Sequence, residues 1–248
     1  MRPIILACLC LPTFAAAQDA PTSPGISFTF GVGPQSRPAY SGSETYEGAP
    51  KFRFSLHALE FGPISRQPGT PQGLRFRPSF GIVGARSADD HDELSGLEDI
   101  DLSLELGGGV SFTTPDYEVF AKLRHGVTGH EAQIAEFGGD LLYRPAAQWE
   151  LSIGPRVLWG SEDYAQTYYG VSAAESAASS FDAFEAGAGI VSAGIEAGAR
   201  YQINDVWGLE GAISYEQLQN DAADSPITQS ADQIGASLVV TRRFSLGF

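Results

Sequence analysis

Residues 232–248 read DQIGASLVVTRRFSLGF, and the period of that stretch decides the fold class. Ile234, Ala236, Leu238, Val240, Phe244, Leu246 and Phe248 share one side of an extended chain, because strand side chains alternate between two faces. Arg242 breaks the set, but its long stem lets the charged head snorkel to an aqueous boundary. In a soluble protein this segment would leave a long apolar edge open to aggregation. It needs an apolar medium.

The same two-residue period recurs upstream. In 101–113, Leu102, Leu104, Leu106, Val110 and Phe112 alternate with Asp101, Ser103, Glu105 and Ser111. In 149–159, Leu151, Ile153, Val157 and Trp159 oppose Glu150, Ser152 and Arg156. In 194–203, Ile195, Ala197, Ala199, Tyr201 and Ile203 oppose Glu196, Arg200 and Gln202. In 206–216, Trp207, Leu209, Ile213 and Tyr215 oppose Glu210, Ser214 and Glu216. Tight connections at 114–116, 144–147 and 204–205 alternate with long polar ones at 86–100 and 219–231; the short Thr128-Gly129-His130 is an exception on the long side. Aromatic pairs flank the tight turns: Phe112 and Tyr117, Tyr143 and Trp149, Tyr201 and Trp207. Rings at matched heights make an interfacial girdle. The pattern predicts an all-β, transmembrane, antiparallel up-and-down β-barrel with short periplasmic turns and longer outer loops.

Alternating direction back from Phe248 gives twelve strands, at 26–33, 50–66, 73–86, 101–113, 117–128, 132–144, 148–160, 163–170, 184–191, 193–203, 206–219 and 232–248. Both termini then lie in the periplasm, as an even count requires. The region 161–192 leaves an alternative open. Its Val171-to-Ser180 stretch, VSAAESAASS, reads as a short helix or loop, and as one long excursion the region leaves ten strands.

Energetics set the facing. A basic side chain turned into lipid at mid-bilayer costs about 2–4 kcal/mol. The polar set therefore points to the lumen: Lys51, Arg53, Arg75, Arg77, Lys122, Arg124, Arg156 and Arg200, with Asp101, Glu105, Glu136, Asp140, Glu150, Glu196, Glu210 and Glu216. The structural reading is that these groups pair and fill a narrow barrel; the functional one is a small polar channel or cleft. Twelve strands fall between the packed eight-strand and open sixteen-strand regimes.

The first residues set the compartment. Arg2, the apolar run Ile4 to Leu11 and Ala15-Ala16-Ala17 make a cleavable signal peptide over 1–17, leaving an outer-membrane barrel domain over 18–248. Cys8 and Cys10 lie inside that leader, so disulfides and zinc–thiolate sites are excluded from the rest. The net charge of −15 argues against a nucleic-acid partner. His125, His130 and Glu131 need not converge on a metal, and acidic 89–99 lacks a calcium-loop consensus. Gly107-Gly108-Gly109 and the Gly187/Gly189 set precede no helix, so they are not phosphate loops. No nucleophile elbow or ordered triad occurs, and no catalytic residue or cofactor is expected.

Three stretches carry a family resemblance: Pro38-Ala39-Tyr40-Ser41-Gly42-Ser43 through Pro50; Gly154-Pro155-Arg156 followed by Tyr164, Tyr168-Tyr169-Gly170-Val171 and 172–180; and Asp221-Ala222-Ala223-Asp224-Ser225-Pro226-Ile227. Together they resemble the MipA/OmpV family of MltA-interacting outer-membrane proteins. The terminal Phe244, Leu246 and Phe248 resemble the signal read by the barrel-assembly machinery. The resemblance implies a non-enzymatic barrel of the Gram-negative outer membrane, set in lipid and lipopolysaccharide. It also implies a scaffold holding a murein lytic transglycosylase near a murein synthase. A narrow porin-like channel for small solutes is the alternative, and a soluble periplasmic ligand-binding β-barrel the weaker one.

Overall fold

The alternating segments form antiparallel strands, and almost every strand pairs with its neighbour in the chain. The computed structural model describes residues 25–61, 64–66 and 72–247, so the leader expected at 1–17 and the terminal Phe248 lie outside the described residues. The strands are β1 (Gly25–Pro38), β2 (Tyr46–Phe61), the three-residue β3 (Ile64–Arg66), β4 (Gly73–Val83), β5 (Ser103–Thr113), β6 (Tyr117–Gly126), β7 (Gln133–Tyr143), β8 (Trp149–Gly160), β9 (Gly189–Gln202), β10 (Trp207–Leu218) and β11 (Asp232–Gly247). They form one sheet in the order β3-β2-β1-β11-β10-β9-β8-β7-β6-β5-β4. First and last strands are neighbours, with Gly25 opposite Gly247.

Twelve strands are not what forms. Besides β3 there are ten long strands among the described residues, and the difference lies wholly in 161–192. The expected strand 163–170 is helix α1 (Glu162–Tyr169), and the expected strand 184–191 contributes only the start of β9. The reason is local. Tyr164, Ala165, Tyr168 and Tyr169 are buried together, a spacing that suits one face of a helix and not a strand. Ser161 caps the helix by accepting the Tyr164 N–H, with Glu162 and Asp163 in the first turn, where acids favour the helix dipole. A second helix, α2 (Ala173–Ala178), opens on a Ser172/Glu175 capping box inside the Ala/Ser-rich stretch. A third, α3 (Asn220–Asp224), lies in the connection before β11.

The ladder is continuous except between β2 and β4, where no strand pairing joins the described residues. Side chains bridge that seam: the Phe54 and Phe80 rings lie 6.2 Å apart, edge to face. Prolines mark the weak places, because proline donates nothing to a ladder. Pro50 and Pro78 sit in the two seam strands. The β1–β11 register skips Gly33 and Pro34, and the β7–β8 register skips Pro155.

One face of the sheet is apolar and open. Phe76 is 77% exposed, Leu141 67% and Ile213 64%, and Phe52, Leu123 and Leu238 belong to the same surface. The opposite face is concave: Arg53 of β2 reaches Glu210 of β10 at 3.1 Å although β1 and β11 stand between them. Flat strands spaced about 4.8 Å apart would hold those two far beyond contact. No helix among the described residues is long and apolar enough to cross a membrane.

The two ends differ. Tight turns close one end, where Thr114 N–H donates to Tyr117 O and Asn204 N–H to Trp207 O. There Trp149 packs on Tyr201 with centroids 4.8 Å apart, and the Arg242 guanidinium lies 5.2 Å from the Trp207 ring. The long connections gather at the other end and hold the buried apolar cores.

Candidate functional site

On the concave face, alternation places acids and bases on neighbouring strands, and they meet. Arg124 binds Glu105 at 2.8 Å and Glu136 at 2.9 Å, and Lys122 binds Glu136 at 2.8 Å. Arg156 joins Asp140 and Glu196, both at 2.9 Å. Arg200 joins Glu150 at 2.8 Å and Glu210 at 3.0 Å, and Glu210 also holds Arg53. Arg77 forks onto Glu118 at 3.2 and 3.0 Å. Glu118 is absent from the polar set read from the sequence, although it lies in register with Lys122 and Arg124. That register was the available signal.

Four members of the set stay outside the network. Lys51 and Arg75 have no carboxylate partner among the described residues. Asp101 is exposed in the connection just before β5. Glu216 accepts from the Ser192 hydroxyl at 2.8 Å. At the tight-turn end Phe244 stacks on Phe28 at 5.2 Å, and Leu246 faces outward, 54% exposed.

Above the ion pairs the long connections fold inward as a cap. Tyr164, Tyr168 and Tyr169 of α1 pack with Ile134, Val191 and Leu218 at the ends of β7, β9 and β10. Beside them Tyr40, Leu94, Leu97, Val171 and Ile227 form a second cluster. Burial pushes the Tyr164 and Tyr169 hydroxyls above the ordinary phenol value, and Tyr40 up to about 12, helped there by Glu93. The cap is dry.

A latch joins cap to wall. Glu105, 2% exposed, takes Arg124 on one oxygen and His130 Nε2 on the other, at 3.2 Å. His130 Nδ1 accepts the Ala132 N–H at 3.3 Å, so Nε2 carries the hydrogen given to Glu105. The imidazole meets Tyr164 and Tyr168 edge to face, at 5.2 and 5.5 Å. Gly129 turns the chain with φ +70°, and a Cβ there would lie 2.0 Å from the Ser103 hydroxyl. His125, by contrast, is exposed on the apolar face. Strand spacing does not reveal the latch, because the burial of His130 depends on α1 folding back over it.

Between the belt of cross-strand ion pairs and the cap lies a cavity of about 420 Å3, bordered by Arg37, Tyr40, Lys51, Arg86, the three α1 tyrosines, Glu196 and Glu216.

A family model described as MltA-interacting protein MipA matches residues 30–244. No curated protein matches the chain. Among solved structures, an outer-membrane channel of Pseudomonas putida F1 is 11% identical, covering 93% of this chain and 98% of its own, with a TM-score of 0.45. The N-terminal β-barrel domain of Pseudomonas aeruginosa OprF is 11% identical over 70% of this chain and 98% of its own, TM-score 0.35. The outer-membrane channel DcaP of Acinetobacter baumannii is 7% identical over 90% of this chain and 96% of its own, TM-score 0.35.

Proposed function

Since the chain belongs to the family of the MltA-interacting protein MipA, we propose that it is a capped outer-membrane barrel anchoring a murein-remodelling enzyme, without chemistry of its own. The observation that carries this reading is the obstruction of the interior. Cross-strand ion pairs occupy the concave face at mid-height, and the α1 cap is fastened over them through Glu105 and His130. An apolar outer face with Phe76, Leu141 and Ile213 exposed suits hydrocarbon, where a water-facing sheet would aggregate. On this reading 1–17 is the export leader and 18–248 the barrel. Phe244, Leu246 and Phe248 address it to the assembly machinery, both termini and the tight turns face the periplasm, and lipopolysaccharide surrounds the capped end. The partners are a lytic transglycosylase and a murein synthase docked at the turn rim.

Capture with the detergent-solubilised barrel tests the reading. Recovery of a lytic transglycosylase, lost when the 114–116 and 144–147 turns are exchanged for unrelated turns, is expected. Recovery of no murein enzyme overturns it. The second reading, a narrow channel, is favoured by one observation: Lys51 and Arg75 carry charge on the concave face without carboxylate partners among the described residues. Planar-bilayer conductance whose ion selectivity reverses in Arg75→Glu would establish it in place of the capped reading.

A further inference from the structure

Arg86 is the least explained charge among the described residues. It is 5% exposed and borders the cavity between belt and cap. Its Nη1 donates to the Tyr168 carbonyl at 2.9 Å, and among the described residues no carboxylate comes within ion-pair distance of it. Glu175, whose field bears on it, already accepts the N–H groups of Glu98 and Ser172. Burial lowers the Arg86 pKa, as expected for a cation drawn out of water without a full counter-charge.

Arg37 pairs with Glu47 at 2.8 Å, and Glu196 shares Arg156 with Asp140. Among the charged residues that border the cavity, Arg37, Lys51 and Arg86 stand against Glu196 and Glu216, and Arg86 is the buried one of them without a carboxylate. Tyr164, Tyr168 and Tyr169 supply an aromatic wall. A pocket of this volume, with apolar and aromatic walls and convergent polar groups, has the size of a small-molecule site. Lys51 of β2 and Ile82 and Val83 of β4 also border it, so it lies beside the seam where no strand pairing joins the described residues.

We propose that the cavity is a binding site for a small aromatic carboxylate, its anionic end on the Arg86 guanidinium and its ring against the α1 tyrosines. Guanidinium and carboxylate are matched forks, and the tyrosines offer ring faces for offset or edge contacts. The site is separate from the anchoring role, and either stands if the other fails.

Isothermal titration of the purified, detergent-solubilised protein with benzoate, and with benzylamine as the cationic counterpart, tests this. Benzoate is expected to bind and benzylamine not. Arg86→Gln should weaken benzoate by about tenfold or more, as loss of a charge-assisted bond does. Because Arg86→Gln also removes the bond to the Tyr168 carbonyl, Ser214→Trp provides a second variant: it fills the cavity from the β10 wall, keeps Arg86, and should also abolish binding. Absence of benzoate binding by the wild type overturns the proposal. So does benzylamine binding as tightly as benzoate, or benzoate affinity unchanged in Ser214→Trp.

Discussion

At mid-height the wall turns apolar side chains outward and Arg124, Glu105 and Glu136 inward; at the loop end Tyr164, Tyr168 and Tyr169 turn inward and the acids lie outside. The two regions thus bury opposite kinds of group. In the wall, the strands pair in ladders except at the β2–β4 seam, the apolar face is left for the surroundings, and charges hold one another across the concave side. The cap has short helices and, among the described residues, two isolated bridges, Arg86 with Ile100 and Val171 with Phe184. It is assembled as a small soluble core is, from aromatic packing around a few satisfied polar groups. One chain uses both inside-out and ordinary burial, and Glu105 is where they join.

The comparison breaks first at that joint. Glu105→Ala leaves Arg124 without one partner and His130 without its acceptor, and is expected to destabilise the fold by about 3–5 kcal/mol, as breaking a buried charge network does. Urea unfolding from lipid vesicles reads this, and a loss below about 1 kcal/mol would mean cap and wall are independent. Next comes the cap alone: Tyr169→Ala should cost about 3 kcal/mol through the vacated aromatic volume. It should admit protease to 161–188 while the strands stay protected, and uniform loss of protection would show that the regions are one cooperative unit.

The outer face is probed by Ile213→Arg, 64% exposed at the centre of β10. A bilayer against it makes the cost about 2 kcal/mol or more, whereas water makes it near zero. Stability unchanged in vesicles would remove the membrane from the argument. The smallest effect is electrostatic. Partial burial works to raise the Glu175 carboxyl, but the N–H donors of Glu98 and Ser172 prevail and hold it below the ordinary carboxylate value. A depressed carboxyl contributes stability that is present above its unfolded value and is lost as pH falls through the folded one. The Glu98 amide shift should therefore titrate with a midpoint below the ordinary carboxylate range; a midpoint above it would show that the α2 cap does not hold.

Legibility followed the length scale of the signal. The register of 101–113, 149–159 and 206–216 is plain in the sequence because a strand's facing is decided every second residue. Ile213 outward and Glu210 inward need no knowledge of the rest. The Tyr164, Ala165, Tyr168 and Tyr169 set carried helical spacing in full view, yet a two-residue template read across 163–170 concealed it. His130 gave no such chance: on either side of Gly129 nothing local distinguishes a buried latch from a solvated loop histidine.

The sequence alone therefore determined the alternation, and with it an antiparallel sheet apolar on one face and charged on the other, since that follows from bond geometry within each strand. Family membership was legible too, in the stretches 38–50, 154–180 and 221–227. Only the tertiary structure decided that 161–188 closes over one end, that His130 and Arg86 are buried, and that among the described residues β2 meets β4 without a ladder. Those outcomes depend on contacts between residues far apart in the chain, and no local period records which of them the folded chain brings together.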